Sequence, residues 1–183
     1  MEHLTSSSRI YEGRVINLRV DKVRLDSGRV TVREIVEHRG AAAIVPVLDN
    51  HKVVFVRQYR YTVGEYLLEI PAGTLEPTEN PEDCAKRELE EETGYRCAEI
   101  QKILECYVAP GYSTEKIHFY LATRLTPSNM NLEEDERINV ETMPITNAQE
   151  MIRRGEIHDA KTVCGILRSA EVLENSRRLA GGP

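Results

Sequence analysis

Glu88, Glu91 and Glu92 fall at positions i, i+3 and i+4, so on a helix they leave one face about a turn apart. Like charges stacked this way repel, and the row makes best chemical sense around a multivalent cation. An all-oxygen ligand set of high charge suits Mg²⁺ or Mn²⁺ rather than zinc. The plain alternative is a solvated acidic face. The helix that would carry the row has a start and a stop of its own. Asn80 is an N-cap, Pro81 takes the first helical position, where a missing N–H costs nothing, and Glu82 and Asp83 stand at the positive end of the dipole. Gly94 can adopt the left-handed conformation that ends a helix, which predicts a helix over 81–93. Ala85 and Leu89 supply the stripe that docks it on a core.

The spacing extends upstream. Gly73, five residues, Glu79, seven residues, then Arg87-Glu88-Leu89-x-Glu91-Glu92-x-Gly94 resembles the box of the Nudix hydrolase family at every fixed polar and glycine position. Tyr95 stands where that family usually has an aliphatic residue. The resemblance covers about Arg14 to Leu173. It implies an α/β fold, an α/β/α sandwich with a mixed sheet in which the box forms a loop-helix-loop, and divalent-metal-dependent hydrolysis of a diphosphate. It further implies Glu88 and Glu92 as chief metal ligands, Glu91 as a further ligand and catalytic carboxylate, and the Ala72 carbonyl as a ligand from the loop. Arg87, four residues before Glu91, is better placed to orient that carboxylate than to touch substrate. Glu79 stands near the metal or supports the loop.

A second stretch, Arg57-Gln58-Tyr59-Arg60 leading to Glu69-Ile70-Pro71-Ala72-Gly73, puts a basic strand end beside the box. Guanidinium forks match phosphate oxygens bidentately, so Arg57 and Arg60 either clamp a diphosphate or are exposed strand ends. This stretch resembles the ADP-ribose pyrophosphatase subgroup of the family, which implies substrate contacts for Arg57, Arg60 and Glu69, with Arg33 a more distant match. Pro110, fifteen residues past the box, resembles that subgroup's proline signature, although Pro-Gly is also a plain turn. Glu133-Glu134-Asp135-Glu136 reads as a solvated charge run. In the resembling family a glutamate from this loop closes over substrate, and aligning on Ile138 and Val140 makes Glu134 the candidate base and Glu136 the candidate extra ligand. Either could hold the role. Tyr59, Tyr61 and Tyr112 could stack on adenine or simply pack.

Met1 to Ser8 is polar and serine-rich and is expected to fray. Residues 14–25 and 29–38 alternate as an antiparallel hairpin around Asp26-Ser27-Gly28, with a bulge expected near Asp21-Lys22. Strands are expected over 41–48, 52–59, 66–70, 98–108, 116–123 and 140–145, and a polar loop over 126–136. Thr146 is expected to cap a helix to about Arg154. A second, amphipathic helix follows from about Asp159 to Glu174, burying Val163, Ile166, Leu167, Ala170 and Leu173. This divides the chain into an N-terminal arm (1–40), a hydrolase domain (41–176) and a frayed tail (177–183). In the resembling subgroup the arm swaps across a homodimer.

The chain has 183 residues and a net charge of −6, enough to bury one sizeable core and no support for nucleic acid or an anionic membrane as partner. No apolar run reaches membrane-spanning length, and Met1 to Ser8 lacks a signal-peptide core. The four cysteines show no metal-type spacing and read as reduced thiols of a cytoplasmic protein. The expectation is a Mg²⁺-dependent enzyme, with Mn²⁺ as the other possible ion, that splits ADP-ribose into AMP and ribose 5-phosphate. Hydrolysis of another nucleoside diphosphate sugar, such as GDP-mannose, is the alternative. A non-catalytic nucleotide-binding domain fits less well, since such domains tend to lose the carboxylates that this chain keeps.

Overall fold

In Ala41–Pro46 every residue is buried, and the two faces of the strand meet different layers. Ala43 and Val45 pack with Phe55, Ile70, Ala148 and Ile166, whereas Ala42 and Ile44 pack with Cys84, Ala85, Leu89 and Tyr120. A strand apolar on both faces must be covered on both, and its small alanines let the covering helices approach closely. A computed structural model of the chain, which describes residues 1–132 and 137–180, has this sandwich at its centre.

The elements are β1 (Glu2–Glu12), β2 (Ile16–Leu25), β3 (Val30–His38), β4 (Ala41–Pro46), β5 (Lys52–Arg60), β6 (Glu65–Glu69), β7 (Ala72–Thr74), α1 (Pro81–Thr93), β8 (Tyr95–Tyr107), β9 (Lys116–Pro127), β10 (Ile138–Pro144), α2 (Ile145–Arg153) and α3 (Ala160–Ala180). The central sheet runs β7-β4-β9-β8 and is mixed, β4 lying parallel to β9. Strands β10-β5-β6 form a second sheet. Helix α1 covers one side and α2 with α3 the other, so the α/β/α expectation holds. Among the described residues no helix is long and apolar enough to cross a membrane, and all four cysteines are free.

The N-terminal arm departs from expectation. The β2–β3 hairpin forms, but Glu2–Glu12 does not fray: it pairs antiparallel with β2 as a third strand. Serines and threonines fit an exposed strand as well as a tail, and this strand is exposed along its whole length. The irregularities lie in β1, between Leu4 and Ser6 and between Arg9 and Tyr11. Strand β2 runs unbroken against β3 through Asp21 and Lys22, so its apparent phase shift reflects apolar residues on both faces. Helix α2 starts one residue before Thr146, at Ile145 after Pro144, with no side-chain cap. Leu167 faces outward at 47 % exposure, while Ile166 and Ala170 are buried. Strand β9 runs on to Pro127, into the segment expected as loop, and α3 continues to Ala180, past its expected end near Glu174.

Candidate active site

Helix α1 spans Pro81–Thr93 as its residues predict. The Asn80 side chain accepts a hydrogen bond from the Glu82 N–H, and Gly94 closes the helix at φ 68° with its N–H on the Glu90 carbonyl. Cys84, Ala85 and Leu89 are fully buried under it, and Glu88, Glu91 and Glu92, on the adjoining face, line a cleft of about 730 Å³.

Arg87 ties this face together. Its Nε and Nη2 donate to the two Glu79 carboxylate oxygens at 2.9 and 3.1 Å, and its Nη1 donates to Glu88 Oε1 at 2.6 Å and Glu91 Oε2 at 3.0 Å. Arg87 therefore orients carboxylates, as its spacing suggests. Glu79 supports the loop: its Oε2 also accepts from the Glu76 N–H at 2.9 Å. The hydrogen bond with Arg87 outweighs partial burial and holds the Glu79 carboxyl below its ordinary value. Burial first, then the charges of Glu79 and Glu88, pushes the Cys84 thiol up to about 12, so it stays protonated beside the Gly73 and Thr74 carbonyls.

The loop and the helix fit each other closely. A Cβ on Gly73 would fall 1.7 Å from Glu88 Oε1, so only glycine lets that carboxylate lie against β7. The Ala72 N–H donates to Glu92 Oε2 at 3.1 Å, which brings the Ala72 peptide to the row. Among the described residues no three acidic or thiol/imidazole side chains converge as a preformed ion site; Arg87 instead bridges Glu88 and Glu91. The donor set still fits a hard divalent cation, since the cleft offers carboxylates and peptide carbonyls without imidazole or thiolate.

The facing wall is basic. Arg60, at the end of β5, lines the cleft. Its Nε and Nη2 grip both oxygens of Glu69 at 2.7 Å each, a bidentate pair. Glu69 is only 1 % exposed and also pairs with Lys161 of α3. Burial works against its charge, but the hydrogen bond from Arg60 and the charge of Lys161 outweigh it and hold the carboxyl below its ordinary value. Asp159 caps α3 by accepting from the Thr162 N–H at 2.9 Å and pairs with Lys161 at 3.0 Å. Thr162 Oγ1 accepts from the Ile70 N–H at 2.9 Å, tying α3 to the chain just beyond β6.

The structure thus brings Arg60, Ala72, Glu88, Glu91 and Glu92 into one cleft, with Glu69 buried behind Arg60 rather than open to a ligand. Other expected residues stand apart from it. Arg57 pairs with Glu141 of β10 at 2.5 Å, and Arg33 pairs with Glu2 of β1. Pro110 is exposed in a turn whose next residues join β3 through Val36 N–H to the Tyr112 carbonyl. Glu134 and Glu136 lie outside the described residues; Asn131 and Leu132, just before them, line the cleft. The sequence reading missed Arg14 and Arg39, which also line it, and Lys161 with Asp159. A basic residue at a strand or helix end gives no local sign of what it faces.

A family model for the NUDIX domain matches residues 37–164. An ADP-ribose pyrophosphatase of Bacillus subtilis (strain 168) is 40% identical over 177 residues, covering 94% of this chain and 96% of its own. A methanol dehydrogenase activator of Bacillus methanolicus is 38% identical, covering 95% and 96%. A GDP-mannose pyrophosphatase of Escherichia coli O1:K1 / APEC is 37% identical, covering 80% and 82%. A solved structure titled as an ADP compounds hydrolase superposes with a TM-score of 0.86 at 21% identity, covering 97% of this chain and 96% of that one. At that identity it speaks for the fold alone.

Proposed function

This chain belongs to the NUDIX domain family, and we propose that it hydrolyses the diphosphate of ADP-ribose to AMP and ribose 5-phosphate, using Mg²⁺ or Mn²⁺. The observation that carries the reading is the single cleft that sets the Glu88, Glu91, Glu92 row opposite Arg60. Glu88, Glu91, Glu92 and the Ala72 carbonyl would hold the ion, with Glu136 as a further ligand. When bound, it supplies positive charge to the diphosphate oxygens and to the attacking water. Arg60, fixed on Glu69 through Nε and Nη2, has no hydrogen-bond partner on Nη1 among the described residues, and this edge would meet a phosphate oxygen. Arg87 holds Glu91 and Glu88 in register. Glu134 or Glu136 would take the proton of the water whose oxygen adds to phosphorus as the bridging P–O bond breaks.

ADP-ribose as the substrate rests on the Arg57-to-Gly73 pattern and on the name of the Bacillus subtilis relative, which covers nearly the whole chain. The Escherichia coli relative favours GDP-mannose as the rival. The arm exposes Leu4, Ile10, Tyr11, Val30 and Val32, which supports a homodimer. One experiment covers both points: the purified chain, sized by light scattering, is assayed with ADP-ribose and GDP-mannose, with Mg²⁺, Mn²⁺ or chelator. The expected result is a two-chain mass and metal-dependent release of AMP and ribose 5-phosphate, with ADP-ribose preferred. Equal or better turnover of GDP-mannose overturns the substrate, turnover in chelator overturns the metal, and a one-chain mass overturns the dimer.

A further inference from the structure

Arg60, Glu69, Lys161 and Asp159 form a chain of alternating charge that begins at the cleft and ends at the N-terminus of α3. Only its first member lines the cleft. Glu69, 1 % exposed, has an oxygen on each arm of the Arg60 fork, and Lys161, its side chain 15% exposed, adds a second cation on Oε2, the oxygen that also accepts from Arg60 Nη2. Without that second cation Arg60 and Glu69 would cancel, and the adjoining Asp159 would leave a net negative charge behind a wall meant for an anion. With it, the positive end of the chain points into the cleft. An ammonium this enclosed is weakly screened and acts at short range.

We propose that Lys161 is a positioning residue for anion binding: by neutralising Glu69 from behind, it keeps the Arg60 guanidinium oriented and its charge available to the diphosphate. Lys161 does not line the cleft, and acts only through Glu69 and Arg60. The inference rests on the proposed function, which supplies the diphosphate.

The test compares wild type, Lys161→Met and Lys161→Arg in steady-state kinetics with ADP-ribose and Mg²⁺, in calorimetric binding of ADP-ribose in chelator, and in thermal melting. Lys161→Met is expected to raise KM and the dissociation constant about tenfold, the loss of one short-range charge coupling, with kcat changed less than about threefold. Lys161→Arg, which keeps the charge, is expected to recover most of the affinity. Melting that falls equally in both variants while only Met loses affinity separates the charge from packing. Unchanged KM and affinity in Lys161→Met, a loss confined to kcat, or failure of Lys161→Arg to recover affinity at a matched melting temperature overturns the proposal. A wild type that neither binds nor cleaves ADP-ribose overturns the proposed function instead.

Discussion

The carboxylates of the cleft come from a single 13-residue helix, whereas Arg60 of β5, which faces them, is backed by β6 and α3 through partners up to 92 residues apart. Helical periodicity alone sets the spacing of Glu88, Glu91 and Glu92, and Arg87 within the same helix holds Glu88 and Glu91. Arg60 has no such helical frame; Glu69 of β6 grips it, and Glu69 is in turn paired with Lys161 of α3. The acidic wall should therefore fail by losing a charge, and the basic wall by losing its packing or its protonation state.

The sharpest break on the acidic side is Glu92→Gln. Glutamine keeps the volume and an acceptor for the Ala72 N–H but removes the charge. We expect kcat to fall roughly 10² to 10³-fold, as when one preorganised electrostatic group is lost from an active site. Circular dichroism and melting should stay near wild type. Wild-type rates would move the ion site off α1 and end the contrast between the walls.

That contrast is also one of legibility. The α1 bounds, the Asn80 cap, the Gly94 stop and the role of Arg87 could all be read from neighbours within about four residues, because capping and i, i+4 pairing are local physics. The uninterrupted apolar run of β4 marked a buried strand, but the sandwich around it was legible only through the resemblance of the box to the Nudix family. Lys161 and Asp159 read only as polar residues at a helix start, since a pair closing across 92 residues leaves no mark on either segment. Arg33 shows the same limit from the other side: its type fits an anion site, and nothing near it in the chain announces that β1, expected to fray, supplies Glu2 as its partner. Pairing a serine-rich segment with β2 depends on an edge that only tertiary structure creates.

The basic wall should respond to acid. The folded carboxyl of Glu69 lies below its ordinary value of 4.5. Its contribution is therefore fully present above pH 4.5 and is lost as pH falls through the depressed folded value. Glu69→Gln leaves Arg60 and Lys161 without their shared anion and should cost about 3 kcal/mol at neutral pH, as for a broken buried pair. In denaturant titrations from pH 7 to pH 3 the gap between wild type and variant should stay constant down to about the ordinary glutamate value and close below it. A gap that persists unchanged at the acid end would show that packing, rather than ionisation, maintains this wall.

The smallest effects compare two caps. Among the described residues the Asn80 side chain accepts one hydrogen bond, from Glu82 N–H, and Asn80→Ala should cost about 1 kcal/mol, measured by urea unfolding. Asp159 caps α3 in the same way but also pairs with Lys161 and accepts from Thr162 Oγ1 at 2.5 Å. Its replacement by alanine should therefore cost about 2 kcal/mol, the upper end for a cap. Because Asp159 is joined to Arg60 through three successive ion pairs, its loss should reach the cleft, while Asn80→Ala leaves KM unchanged. Equal costs, with KM unmoved in both variants, would mean that α3 is fastened no more closely to its wall than α1 is, and that distance along the chain has no bearing on how the two sides of the cleft respond.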